Sequence, residues 1–228
     1  MRWSAWAGDT HPVGIGLLEL LADDDRRAVL RRARHRRFKR GEIVFHDGDP
    51  GDTLHMVAAG HFAVRVTTSV GDTALLRVLG PGEHFGELAV LEPAPRKGSV
   101  IALDAAETIS LHRDDLAVVR AATPGFDEAL TAALVAEVRR LSALLVDALY
   151  VPADQRVWRR LLDLVAIYRG PGEPVVVPLT QDDLAQLAGT TRPTANRALR
   201  DGEAAGIIRL ARGRIEIVDV AQVAHRAH

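Results

Sequence analysis

Residues 82–100 read GEHFGELAVLEPAPRKGSV, and the reading of this stretch organises the rest of the chain. Gly86 and Glu87 open a short helical segment whose free backbone N–H groups attract negative charge, and Arg96 returns from the far side of a proline-bounded loop. Glycine lets the backbone approach an anion with no Cβ in the way. Glu87 carries an acceptor-only carboxylate suited to a sugar hydroxyl, whereas the planar fork of Arg96 donates to phosphate oxygens. Together they form a cradle for one small anion that bears a sugar. The same residues also allow a plainer arrangement, an ion pair between Glu87 and Arg96 that closes the loop and binds nothing.

The bulk composition narrows the rest. The chain has 228 residues, enough for one large or two modest domains with hydrophobic cores. Its 29 basic and 30 acidic side chains nearly cancel, so any nucleic-acid contact must come from a local patch. The absence of cysteine excludes a disulfide framework, a thiolate zinc site and a cysteine-ligated iron–sulfur cluster. No apolar run is long enough to span a membrane, and the start MRWSAWAGD lacks a secretory core, so a cytoplasmic location is expected.

Residues 1–14, with Trp3 and Trp6, show no periodicity and read as a tail. From Ile15 to about Arg37 broken helical spacing predicts two short helices, and the basic run Arg31–Arg40 reads as a solvated helix face. Between Gly41 and Leu111 short apolar runs alternate with glycine-containing turns, the texture of a β-roll or jelly-roll-like barrel. Phe62, Val64 and Val66 alternate with His61, Ala63 and Arg65, which predicts one buried face. His46, His55, His61, His84 and His112 lack metal-ligand spacing and read as exposed or core-edge residues.

From Pro124 to about Val151 the chain reads as one long helix ended by Pro152. Leu134, Val138, Leu141, Leu145 and Ala148 form a heptad seam that predicts a parallel two-fold dimer, with Leu130, Leu144 and Leu149 left to pack on the barrel. A further helix, Ala153 to Tyr168, buries Val157, Leu161, Leu162, Leu164 and Val165. GPGEP ends it before a strand at Val175 to Leu179.

The segment TQDDLAQLAGTTRPTANRALRDGEAAGII, residues 180–208, carries a second motif. Thr180 and Asp183 resemble a capping box, Ala185 is small where helices cross, Gly189 supplies a turn, and Thr191 is placed to cap the next helix. This is a helix-turn-helix, followed by a hairpin wing from Ile207 to Val218 that turns at residues 212–214. Arg192, Thr194, Asn196, Arg197 and Arg200 lie near the exposed end of the second helix, where arginine reaches guanine edges and hydroxyls or amides hold phosphate. Residues 152–228 contain 11 arginines and 9 acids, so placement must outweigh bulk charge.

The pattern FGELAxL followed nine residues after Glu87 by Arg96 in PRxxSV resembles the phosphate-binding cassette of cyclic-nucleotide-binding domains. With the C-terminal motif, the whole chain resembles the bacterial catabolite activator protein/FNR (CRP/FNR) family of transcription regulators. The resemblance implies an α+β architecture: a cyclic-nucleotide-binding β-roll at 15–123, a dimerisation helix at 124–151 and a winged helix-turn-helix at 152–228. It implies that Gly86, Glu87, Leu88, Arg96 and Lys97 meet a cyclic nucleotide and that Ser142 meets its base. Lys97 stands where relatives usually carry a small residue. The ligand expected is cAMP, with cGMP or an unused pocket as alternatives.

By the same resemblance Arg192 and Arg197 read bases, with Pro193 replacing an acidic residue. Thr180, Thr191, Thr194, Asn196, Arg200 and Arg212 complete the candidate DNA contacts. The partners implied are a palindromic operator in double-stranded DNA, a second copy of the chain and RNA polymerase. The lack of cysteine removes the oxygen-sensing branch of the family. No nucleophile, metal cluster or triad accompanies Glu87 and Arg96, so an enzyme is not expected. Two rivals stay open: a constitutive DNA binder with an idle pocket, and a nucleotide-sensing module acting on another protein.

Overall fold

The computed structural model describes residues 16–67, 71, 73–170 and 174–228; Trp3, Trp6 and the proposed tail lie outside them, as do residues 171–173 of the GPGEP stretch. Two four-stranded antiparallel sheets face each other. One has the order β1 (Arg34–Phe38), β8 (Ala106–His112), β3 (Thr53–Ala59), β6 (His84–Phe85). The other has the order β2 (Ile43–Phe45), β7 (Ser99–Ala102), β4 (Phe62–Thr67), β5 (Thr73–Leu79). Phe38, Val57, Phe62, Leu79, Phe85, Val100 and Ala102 fill the space between them, with Phe38 and Phe62 edge to face at 5.6 Å. Each large side chain so buried contributes about 2 kcal/mol of hydrophobic stabilisation.

Helices cover the outer face of the first sheet: α1 (Asp23–Arg32), the short α2 (Glu87–Leu91), α3 (Arg113–Ala122) and the start of α4 (Pro124–Tyr150). Acidic Asp23–Asp25 open α1 and Arg31 and Arg32 close it, in accord with the helix dipole. Only one of the two helices expected before residue 38 forms in full. Arg34–Phe38 instead pairs with β8 as an edge strand, so the basic run spans a helix end and a strand whose arginines are exposed. Charges on an edge strand discourage pairing with other chains.

The histidines divide. His46 and His112 are exposed, but His55 is a core residue, stacked on Phe85 at 4.9 Å with Nδ1 3.1 Å from Thr108 Oγ1. Burial pushes its imidazole down to about 3, so it stays neutral.

The C-terminal part begins with α5 (Ala153–Tyr168), which buries Val157, Trp158, Arg160, Leu161, Leu164 and Val165; Leu162 is only partly buried. It continues through β9 (Val176–Val177), α6 (Gln181–Leu187), α7 (Arg192–Ala204), β10 (Ile208–Ala211), β11 (Arg214–Ile217) and α8 (Val220–Ala227). The expected strand before α6 is thus reduced to two residues, paired with β11 to make a three-stranded wing sheet. Helix α8 was not legible in the sequence. Its Asp219 N-cap accepts from the Gln222 amide at 3.0 Å, and Val223 and Ala227 are buried.

The second sheet departs from the one-sided pattern. Phe62 faces inward, yet Ala63 on the opposite face is also fully buried, with Leu75 and Val78, because the C-terminal part packs over it. The α4 seam also divides. Phe126, Ala129, Leu130 and Ala133 are buried against the β-roll and Leu134 packs partly there, whereas Val138, Leu141 and Leu145 are more than half exposed. Leu149, expected against the barrel, is 65% exposed, because by then α4 has run past the roll's apolar layer.

Candidate functional site

Gly86 is the residue before α2 and has φ +86°; a Cβ there would lie 2.6 Å from Arg96 Nη1 and 2.8 Å from the Thr53 carbonyl. Only glycine accommodates that backbone and that approach together. The loop behind it is tied down: the Arg96 amide donates to the Asp49 carbonyl and the Gly48 amide to the Arg96 carbonyl, both at 2.9 Å. Arg96 is 4% exposed. Its Nη1 donates to the Gly86 carbonyl at 2.9 Å, its Nη2 donates to the Thr53 carbonyl at 2.8 Å, and its guanidinium carbon lies 4.1 Å from the centre of the Phe45 ring. Its Nε is buried without a partner.

Among the described residues no carboxylate forms an ion pair with Arg96, so the loop-closing pair with Glu87 is not made. Glu87, half-buried at the first position of α2, still acts on the Arg96 guanidinium electrostatically, as does Asp52, and both oppose the lowering that burial imposes. A buried cation whose in-plane partners are two neutral carbonyls retains most of its attraction for an anion. Helix α2 has five residues, so the charge of Arg96, not the helix end, is the main attraction here.

The other residues assigned to the ligand are less convergent. Leu88 is 60% exposed and Lys97 is exposed, so the lysine does not crowd the cassette. Ser142 is exposed on α4 and its hydroxyl donates to the Val138 carbonyl at 2.9 Å, one turn back in its own helix. A polar group of α4 that does meet the roll is Glu137. Arg77 of β5 donates to Glu137 at 2.8 Å and pairs with buried Glu83, which also accepts from the Gly80 amide at 2.7 Å. Arg140 pairs with Glu137 at 2.7 Å. His84, two residues before Gly86, is held low chiefly by burial, with Glu87 and Glu137 opposing. Sequence reasoning missed this network; the one available signal was the three-residue spacing of Glu137 and Arg140.

In the C-terminal part, the expected capping box is present in full: the Thr180 hydroxyl accepts from the Asp183 amide at 3.1 Å and Asp183 accepts from the Thr180 amide at 3.0 Å. Gly189 turns the chain at φ +58°. Thr191 is the N-cap residue of α7, but its side chain makes no capping bond and instead lies 3.0 Å from the Thr194 hydroxyl. Ala195 and Ala198 are buried beneath the helix. Arg192, Arg197 and Arg200 are exposed, and Arg212 is exposed at the tip of the wing beside Gly213. Asn196 is less free, since it donates to Gln181 and accepts from Arg200 at 3.2 Å. One helix with three exposed arginines and a basic wing tip make a surface suited to a phosphate-lined groove.

Comparison with known proteins agrees with both halves. A cyclic nucleotide-binding domain model matches residues 35–122, and a Crp-like helix-turn-helix domain model matches residues 155–226. The chain is 34% identical over 193 residues to a CRP-like cAMP-activated global transcriptional regulator of Mycobacterium tuberculosis, covering 83% of this chain and 86% of that protein. It is 31% identical over 208 residues to a cyclic AMP receptor protein of Thermus thermophilus, covering 91% and 94%. Among solved structures, the catabolite activator protein of Thermus thermophilus aligns with a TM-score of 0.54 at 30% identity, covering 92% of this chain and 97% of that one. FixK2 of Bradyrhizobium japonicum shares the fold with a TM-score of 0.73 at 19% identity, covering 86% and 98%. With a cyclic nucleotide-binding domain followed by a Crp-like helix-turn-helix, and with relatives matched over most of its length, the chain belongs to the CRP/FNR family of transcription regulators and is not an enzyme.

Proposed function

We propose that this protein is a homodimeric regulator whose affinity for a palindromic operator is set by a cyclic nucleotide, cAMP before cGMP, bound at Gly86–Arg96. In this reading residues 15–123 sense the ligand, 124–151 join two copies, and 152–228 bind DNA in the cytoplasm. The observation that carries it is the buried Arg96 guanidinium, which has no carboxylate partner and an unpaired Nε. The phosphate meets Arg96 and the amides about Gly86, the ribose hydroxyl meets Glu87, and Leu88 and Lys97 flank the entrance. The names of the relatives favour cAMP. The exposed Val138, Leu141 and Leu145 support pairing through α4.

On DNA, Arg192 and Arg197 read base edges, while Thr180, Thr191, Thr194, Asn196, Arg200 and Arg212 contact the backbone. A ligand shifts DNA affinity only through its differential affinity for two arrangements of the dimer. Calorimetric titration with cAMP and cGMP, beside Arg96→Ala, tests the sensor: saturable binding lost in the variant supports it. No binding of either nucleotide sinks it and favours constitutive DNA binding, a reading supported by the two carbonyls that already engage Arg96.

A further inference from the structure

Arg156 lies in the first turn of α5, yet its guanidinium serves two other parts of the chain. Nη1 donates to the carbonyl of Val151, Nε to that of Ala188 and Nη2 to that of Gly189, each at 2.9 Å. Among the described residues it has no carboxylate partner. Val151 caps the C-terminus of α4, Ala188 caps the C-terminus of α6, and Gly189 is the positive-φ turn three residues before Arg192. A cation at two helix C-termini is electrostatically favoured, and the rigid fork of arginine fixes direction as well as distance.

Val151 and Gly189 are far apart in sequence and belong to the two elements whose relative placement matters most for a two-fold DNA reader. The α4–α5 part of this joint is fastened a second time. Asp147, 6% exposed in the last turns of α4, accepts from Arg159 and, at 2.7 Å, from Arg160. The end of α4, the start of α5 and the turn before α7 are thereby held as one piece.

We infer that Arg156 is a positioning residue for DNA recognition, which sets the α6–α7 turn relative to α4 and so fixes the separation of the two recognition helices in the dimer. The inference rests on the proposed reading of α4 as the dimer helix and α7 as the base reader. The effect of Arg156 is on half-site spacing, not on the identity of the bases read.

The test uses full-length protein and a duplex selected from a random library by the wild type. Affinity is then measured on duplexes whose central spacer is one base pair shorter or longer. For the wild type each change weakens binding by about tenfold or more, because helices of fixed separation cannot follow the grooves. Arg156→Met is expected to bind all three spacers within about threefold of one another, with the salt slope and the base preference inside each half-site unchanged. Arg192→Ala should do the reverse, relaxing base preference while keeping spacer discrimination.

A folded Arg156→Met with wild-type spacer discrimination overturns the inference. Should that variant fail to fold, Arg156→Lys, which keeps the charge but loses the fork, must show reduced discrimination by the same criterion. A wild type that selects no sequence, or selects one without half-sites, overturns the DNA reading itself, and the inference falls with it. Those outcomes are separable from the failure of Arg156 alone.

Discussion

Asp183 of α6 accepts a charge-assisted hydrogen bond from Arg65 of β4 at 2.7 Å, which joins the first helix of the helix-turn-helix to the β-roll of its own chain. Gln186, one turn further along α6, accepts from the Leu75 amide of β5 at 2.9 Å. Leu75 and Ala63 are fully buried beneath these contacts. The covered hairpin face is therefore an interdomain interface, built of apolar side chains continuous with the C-terminal core and of polar ties from Arg65 and Leu75, while the arginines of α7 remain exposed.

That interface should loosen in acid. Burial raises the Asp183 carboxyl, but bonds from the Thr180 hydroxyl and amide and from Arg65 outweigh it and hold the group below its usual range. A carboxyl lowered in the folded state contributes stability that is fully present above its unfolded value of about 3.9 and lost as pH falls through the lower folded one. Interdomain distance by spectroscopic labels should grow below about pH 4 in the wild type, and Arg65→Ala should weaken that acid dependence. With both side chains about a fifth exposed, a double-mutant cycle with Asp183→Asn should give a coupling of about 1 kcal/mol; a value near zero would remove the tie from the account.

Gly86→Ala should disable the cassette before any ligand arrives. At φ +86° an alanine is strained, and its Cβ meets both Arg96 and a backbone carbonyl. The expected cost is about 1–3 kcal/mol, seen as a lower midpoint in thermal unfolding. Nucleotide titration of the folded fraction should show weakened binding as well.

Gly202 in α7 offers a sharper sign test. An alanine in an open helix gains about 1 kcal/mol over glycine, but here its Cβ would lie 2.3 Å from the Trp158 ring. Overpacking of that kind costs about 1–3 kcal/mol, so Gly202→Ala should destabilise the chain in urea unfolding. Stabilisation instead would mean that α5 and α7 are less tightly joined than described.

Leu145→Glu should leave the subunit folded and break pairing of two copies. Leu145 is 60% exposed in the single chain, so the charge costs little there, whereas in a closed seam it would be buried opposite its own copy. Light scattering is expected to report a dimer for the wild type and a monomer for the variant. A variant that remains dimeric would place the interface elsewhere.

Much of this was legible because the signals are local. The GELAVL and PRKGS segments carry their own chemistry in residue type and spacing, and the Thr180–Asp183 box and Gly189 turn are decided within a few residues. The run Arg34–Phe38 misleads for the opposite reason: its charges resemble a helix face, and only pairing with β8 makes it a strand. Ser142 was assigned to the ligand by resemblance, whereas it is Glu137 of the same helix that meets Arg77 of the roll.

The sequence by itself determined the order of the main elements, from the strand-rich first half through the long helix to the helix-turn-helix, because periodicity, caps and positive-φ glycines act over a few residues; β1 and α8 were exceptions. It also singled out Gly86, Arg96 and the α7 arginines as candidates for ligand and DNA contact. Only the tertiary structure decided that Nη1 and Nη2 of Arg96 each meet a backbone carbonyl, that Arg156 ties the end of α4 to the α6–α7 turn, and that the outer face of β4 and β5 is covered. Each of these joins residues tens of positions apart or more than a hundred. Contacts at that separation leave no period to read, since they depend on how finished elements pack.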